Sequence, residues 1–114
     1  VNDLLIGVVG PCKAGKSTLV ENLLGHGYIA KVIAQEHSYV PSMWKRITNP
    51  DTLVYLDVSY PVTLKRSTLN WTQTDFDQQI IRLKHALQHA HIYIHTDNLT
   101  PEEVLSRVLY ALNI

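Results

Sequence analysis

Residues 10–17, Gly10-Pro11-Cys12-Lys13-Ala14-Gly15-Lys16-Ser17, match the pattern G-x-x-x-x-G-K-[ST] at every fixed position. Each fixed position answers a need of phosphate chemistry. Glycines let the backbone wrap closely around phosphate oxygens, with N–H groups pointing inward as an anion nest. A helix starting at Lys16 would add the positive end of its dipole. Lys16 has the reach to meet the β- and γ-phosphates of a nucleoside triphosphate, and the Ser17 hydroxyl is a hard oxygen suited to Mg²⁺. The pattern therefore predicts a P-loop, with Gly10, Pro11, Cys12, Lys13, Ala14, Gly15, Lys16, Ser17 and Thr18 around the phosphates of Mg-ATP. A glycine-rich turn could match by chance. The context separates the two, since a buried strand directly precedes this loop and a helix directly follows it.

Asp57 ends an apolar strand, the pattern of an acid that holds Mg²⁺ through water, so Ser17 and Asp57 are the expected metal-associated residues. A strand-end acid capping the next turn reads the same way, and Glu36 competes for the metal task. Glu36 or His37, after the second strand, could also orient an acceptor or a water as general base. Lys13 is a second cation in the loop, or simply a solvent-facing residue. Trp44-Lys45-Arg46 sets two cations beside an aromatic ring, a dock for an anionic acceptor unless Trp44 closes the core. His85 and His89 have the i, i+4 spacing of a metal pair, but no Glu follows His85 and both flank the apolar stripe, which favours a solvated helix face. No Asn-Lys-x-Asp guanine-reading sequence occurs, which points to adenine by exclusion.

The elements that must position these residues follow from hydrophobic periodicity. Residues 4–9 form a continuous apolar run, as a parallel strand covered on both faces does. Residues 16–24 read as a helix with Leu19, Val20, Leu23 and Leu24 on one side, closed by Gly25 as the left-handed residue. Residues 28–34 read as a second strand, and Pro41 and Pro50 bracket a short helix through Met43, Trp44 and Ile47. Residues 52–58 are a third strand. Pro61 opens a helix running to about Ser67. Phe76, Ile80, Leu83, Leu87 and Ala90 step as one face of a helix over 75–90. Residues 91–96 alternate as an edge strand does. Thr100-Pro101-Glu102-Glu103 is a capping box that starts a closing helix with Val104, Leu105, Val108, Leu109 and Leu112 inward. Alternating strands and helices predict an α/β fold of three α/β/α layers with a small parallel sheet. In such sheets the ligand lies at the carboxyl edge, where Gly10, Asp57 and Thr96 would fall.

The chain has 114 residues, 46% of them apolar, enough for one modest core and one domain spanning 1–114. Ten basic and ten acidic side chains leave zero formal charge, which argues against a nucleic-acid surface or a basic membrane patch. Cys12 is the only cysteine, so no intrachain disulfide can form. No run approaches the roughly 18 apolar residues of a membrane span. Residues 4–9 lack the basic start and cleavage site of a signal peptide, and the expected location is the cytoplasm.

From Thr52 onward, together with residues 10–18, the chain resembles small P-loop kinases of the dephospho-coenzyme A kinase and shikimate kinase type. The residues that carry the resemblance are Leu53-Val54-Tyr55-Leu56-Asp57-Val58, the Pro-opened helix leading to Arg66, Ile92-Tyr93-Ile94-His95-Thr96-Asp97, and the box at Thr100. The resemblance implies a phosphotransferase acting on a small acceptor. It implies that Arg66 joins Lys16 in stabilising charge on the transferred group, and that Asp97 and Asn98 lie near the adenine. Two family features are short here. Residues 35–51 are too few for both a further strand and an acceptor segment, so the sheet is expected to have four to five strands. The stretch after Arg66 contains no further lid arginine before Asp75. These departures keep a second reading open, a nucleotide-binding regulatory module or slow ATPase without an acceptor. A homo-oligomer completed by a partner's arginine is a third.

Overall fold

The apolar run before the loop becomes β1 (Leu5–Val9), and it lies inside the sheet because both of its faces are apolar. The computed structural model describes residues 3–68 and 70–113. After β1 come α1 (Lys16–Gly25), β2 (Ile29–Val32), β3 (Thr52–Asp57), α2 (Tyr60–Arg66), α3 (Gln73–His89), β4 (Ile92–His95) and α4 (Pro101–Leu112). Among the described residues the sheet has four strands, all parallel, in the order β2-β1-β3-β4. It is the smaller of the two expected sheets. Val9 pairs with Tyr55 and Asp57 with His95, so the ends of β1, β3 and β4 share one edge.

The pleat sorts alternate residues onto opposite faces. Ile6, Val8, Val54, Leu56 and Ile94 meet Leu19, Val20 and Leu23 of α1 and Val104 and Val108 of α4. Val9, Leu53 and Tyr55 meet Leu83 and Ala86 of α3 together with Ile33 and Trp44. Helices on both faces of a parallel sheet are consistent with a three-layer α/β arrangement. Each fully buried aliphatic side chain contributes about 1.5–3 kcal/mol of hydrophobic transfer.

Several boundaries depart from the sequence reading for physical reasons. Helix α1 runs through Gly25, and the left-handed residue is Gly27 at φ 86°. The Leu23 carbonyl there accepts the N–H groups of both His26 and Tyr28, which sets the left-handed residue two positions later than expected. Between Pro41 and Pro50 the chain makes one π-helical turn, Trp44–Thr48, ended by Asn49 at φ 46°. Trp44 is in the core and Ile47 is exposed. Helix α3 starts at Gln73 because Thr72 caps it: its hydroxyl accepts from the Asp75 N–H, and the Asp75 carboxylate accepts from the Thr72 N–H. Its buried face is Phe76, Gln79, Leu83 and Ala86, rotated from the expected stripe, while Leu87 is exposed. The box at Thr100 forms as expected, with 3.2 Å from Glu103 N–H to the hydroxyl and 2.9 Å from Thr100 N–H to the carboxylate.

Candidate functional site

The loop leaves β1 at Gly10, which has φ 155° and lies so close to β3 that a Cβ there would stand 2.1 Å from the Leu56 carbonyl oxygen. Only glycine fits. Lys13 at φ 69° and Gly15 at φ 98° then turn the chain into α1. A left-handed lysine costs of order 1–3 kcal/mol and persists only where its neighbours hold it. Two helices do so. Arg66, at the end of α2, donates to the Lys13 carbonyl at 2.9 Å, and Gln79 of α3 accepts from the Cys12 N–H at 2.9 Å. The Gln79 amide nitrogen also donates to Cys12 Sγ at 3.2 Å. These bonds explain why α3 turns a glutamine inward.

Helix α1 begins without a side-chain cap and without an acid in its first turn. Its first-turn N–H groups lack intrahelical partners and open at the loop, a ready site for an anion. Ser17 and Thr18 stand exposed on this turn. Lys16 folds back into the loop, where its ammonium donates to the carbonyls of Gly10 at 2.7 Å and Pro11 at 3.1 Å and pairs with Glu36 at 2.9 Å. All three of its donors are engaged. The side chains of Lys16 and Glu36 are 9% and 5% exposed, so this is a buried ion pair.

Glu36 is carried by a 3-10 turn, Gln35–His37, directly after β2. The turn is anchored by Gln35, whose amide donates to the carbonyls of Val40 at 3.0 Å and Arg82 at 3.2 Å and accepts from the Trp44 N–H at 2.9 Å. Arg82 donates to the Glu36 carbonyl at 3.3 Å. Glu36 Oε1 is buried and has no hydrogen-bond partner among the described residues, although its other oxygen pairs with Lys16 of the loop. A buried oxygen left in that state costs on the order of 1–3 kcal/mol, more for a charged group.

On the other side of the loop, a cavity of about 310 Å³ is walled by Lys13, Gly15, Thr18, Arg66, Leu99 and Pro101 among others. The Arg66 guanidinium crosses its rim to Thr96, donating to the hydroxyl at 3.0 Å and to the carbonyl at 2.7 Å. Thr96, Leu99 and Pro101 supply the wall that was expected from Asp97 and Asn98. Asp97 instead accepts from the Ser59 N–H at 2.8 Å and lies 3.2 Å from His95 Nε2. Burial pushes its carboxyl up, but the Ser59 bonds and His95 outweigh that, and its pKa sits below the usual carboxylate range. Asn98 is exposed.

Asp57 lies on the same edge, but its bonds among the described residues run toward β4 and the turn after β3. It accepts from the Val58 N–H at 2.9 Å and from the Tyr93 hydroxyl, with His95 Nδ1 at 3.7 Å. Burial and then the bond to Asp57 push the Tyr93 phenol up to about 12. The Tyr55 phenol is raised as well, by its burial first and the negative Asp57 second.

Trp44 belongs to the core and donates to His85 Nδ1 at 3.0 Å, with the His85 and His89 rings packed against it, while Lys45 and Arg46 are exposed. The structure thus brings together the loop, Lys16, Glu36, Arg66 and Thr96, and leaves Asp57, Asp97 and Trp44 in other networks. Sequence reasoning passed over Gln79 and Gln35. A polar residue at a position where the 3.6-residue period demands an apolar one was the available signal for Gln79.

The fold and site define a small α/β protein with a four-stranded parallel sheet and a G-x-x-x-x-G-K-S loop at its carboxyl edge. Compared with known proteins, the chain matches no protein-family model, and no curated protein matches it. Among the described residues no helix is long and apolar enough to cross a membrane.

Proposed function

We propose that the chain is a P-loop protein that binds Mg-ATP and transfers its γ-phosphoryl group to a small anionic acceptor, as a shortened kinase. One observation carries this reading. An uncapped helix start, a buried lysine and a buried carboxylate with an unpartnered oxygen converge on one loop. That combination is costly in a protein that binds nothing there.

The chain's residues divide the work as follows. The α1 N-terminus and the loop N–H groups take the phosphate oxygens. Lys16 exchanges its two carbonyl partners for phosphate oxygens, a stronger charge-assisted contact. The residues present fit a magnesium ion: the Ser17 hydroxyl is exposed on the first turn, and Glu36 offers a hard oxygen with an open lone pair. Bound there, the ion would neutralise charge that builds between the β- and γ-phosphates. We assign the metal-associated acid to Glu36 in preference to Asp57, whose oxygens are already engaged by Val58, Tyr93 and His95. The cavity behind Lys13 and Arg66 suits the nucleoside, with the Arg66 guanidinium beside the base. Arg66 then acts on binding and loop position more than on the transferred group.

The acceptor belongs on the opposite side of Glu36. A second cavity of about 330 Å³ lies between the 38–41 segment and α3, lined by Ser38, Tyr39, Pro41, Gln78, Ile81 and Arg82. Arg82 stacks 4.6 Å above the Tyr39 ring and supplies the cation for an anionic group. A regulatory module without an acceptor is favoured by one fact: Gln35 and Trp44, in the segment where an acceptor would dock, are spent on the core and on each other. Single-turnover ATP consumption, measured with and without a panel of small hydroxyl and phosphate acceptors, tests both. An acceptor that raises the rate by more than about tenfold supports the kinase. A rate unchanged across the panel supports the module, and undetectable ATP binding rejects both.

A further inference from the structure

We propose that Cys12, Glu36 and His37 form a binding site for one transition-metal dication of the Zn²⁺ type, separate in chemistry from the hard-oxygen magnesium position. Cys12 Sγ lies 3.9 Å from His37 Nε2, and His37 Nε2 lies 3.7 Å from Glu36 Oε2. One ligand atom from each of the three residues falls within 4.8 Å of the others. Tetrahedral zinc, with bonds of about 2.3 Å to sulfur, 2.0–2.1 Å to nitrogen and 2.0–2.2 Å to oxygen, sets sulfur and nitrogen about 3.6 Å apart and nitrogen and oxygen about 3.4 Å apart. The sulfur–nitrogen and nitrogen–oxygen gaps therefore need to close by about 0.3 Å each, and the sulfur–oxygen gap, within 4.8 Å, by up to about 1.2 Å, which rotation of the exposed His37 and of the Cys12 side chain can supply.

Two features make the set more than three neighbouring polar groups. Glu36 is buried, and among the described residues its Oε1 has no partner, so the carboxylate has an oxygen to spare: Oε2, the atom nearest His37, can turn from Lys16 to a metal while Oε1 takes up the lysine or the ion. The Gln79 amide donates to Cys12 Sγ at 3.2 Å, the outer contact that steadies a metal-bound thiolate. His37 is mostly exposed and can turn its ring toward the ion. A thiolate and an imidazole select zinc-type ions over magnesium or calcium. Three protein ligands leave a fourth position for water, as in open zinc sites. An ion there draws Glu36 away from Lys16, which keeps the Gly10 and Pro11 carbonyls.

The test uses the nucleotide-free chain and Zn²⁺ alone, so it stands whether or not ATP binds. Calorimetry should find one tight equivalent, and Cys12→Ser and His37→Ala should each weaken it by at least about 10–100-fold, the loss that even an outer-shell contact can cause. Co²⁺ in place of zinc should give a thiolate-to-cobalt charge-transfer band in the near ultraviolet that Cys12→Ser removes. Cys12 is the only cysteine, so its alkylation rate is a third readout and should fall on adding Zn²⁺ in wild type but not in His37→Ala. A Cys12→Ser chain that binds Zn²⁺ as tightly as wild type overturns the proposal. So does loss of binding in His89→Ala, which breaks the other histidine pair while keeping the His85–Trp44 hydrogen bond and should leave it unchanged.

Discussion

Two carboxylates end up at the same edge of the sheet, and they differ in how completely they are satisfied. Asp57, at the end of β3, has one oxygen on a backbone N–H and the other on a phenol, with a histidine alongside. Glu36, after β2, is more deeply buried, yet among the described residues only one of its oxygens has a partner. The sequence pattern, an acid closing an apolar strand, singles out Asp57. The hydrogen-bond inventory singles out Glu36. A saturated acid holds its own structure together, whereas Glu36, beside Lys16, keeps an oxygen open, which is what the proposed metal role rests on.

The largest effect expected from breaking this contrast is on stability. Lys16→Ala leaves Glu36 buried and unpaired, and removing one member of a buried pair costs roughly 3–5 kcal/mol. Denaturant unfolding reads it directly, and pairing the change with Glu36→Gln should recover much of the loss. In the same Lys16→Ala chain, ATP affinity measured by calorimetry should fall about 10–100-fold, the value of one charge-assisted contact of about 1.5–3 kcal/mol. Equal affinity in the variant would remove Lys16 from the phosphates.

The acids themselves come next. Mg²⁺ should raise triphosphate affinity more than diphosphate affinity, an advantage that Glu36→Gln abolishes and Asp57→Asn preserves. The reverse pattern would return the metal to Asp57. Arg66→Ala sharpens the comparison from the nucleoside side, where affinity for ATP should fall about tenfold, as loss of a charged hydrogen bond predicts. Single-turnover rate at saturation should change less. A rate loss far exceeding the affinity loss would instead make Arg66 a contact to the transferred phosphoryl group.

The smallest effects concern the saturated acid's surroundings. Ultraviolet titration should find the Tyr93 phenol ionising near 12, a component that Tyr93→Phe deletes. A raised phenol pKa favours the neutral form in the folded state. The stability tied to the Tyr93–Asp57 bond is therefore complete below the ordinary tyrosine range and lost as pH rises through about 12. Asp97 works in the opposite direction. Its lowered pKa contributes stability above the usual carboxylate range, and that contribution disappears as pH falls through the depressed value.

Much of the fold was legible because its signals are local. The loop pattern, the apolar alternation of β3 and the Thr100 box each lie within a few residues and require no knowledge of distant neighbours. What escaped depends on contacts far apart in the chain. Whether Asp57 or Glu36 meets Lys16 is decided by how the turn after β2 docks on α3, through Gln35 and Arg82. The inward turn of Gln79 depends on a loop 67 residues earlier. The π-helical turn at Trp44 reflects a core position filled from an unrelated part of the chain, with its first N–H taken by Gln35.

The Gln79 side chain has a consequence for how the loop answers a ligand. It holds the Cys12 amide proton, so that proton should exchange slowly with solvent even though Cys12 is only half-buried. An anion that recruits the Cys12 N–H must first displace the glutamine oxygen, and the Gln79 side-chain amide then loses its acceptor role in the loop. Its two NMR proton resonances become an internal gauge of occupancy. They should shift in step with anion titration when the loop N–H groups are recruited, and stay fixed when a ligand settles only in the cavity beside Arg66. One glutamine of α3 would thus tell a ligand held by the loop N–H groups apart from one held only in the cavity beside Arg66.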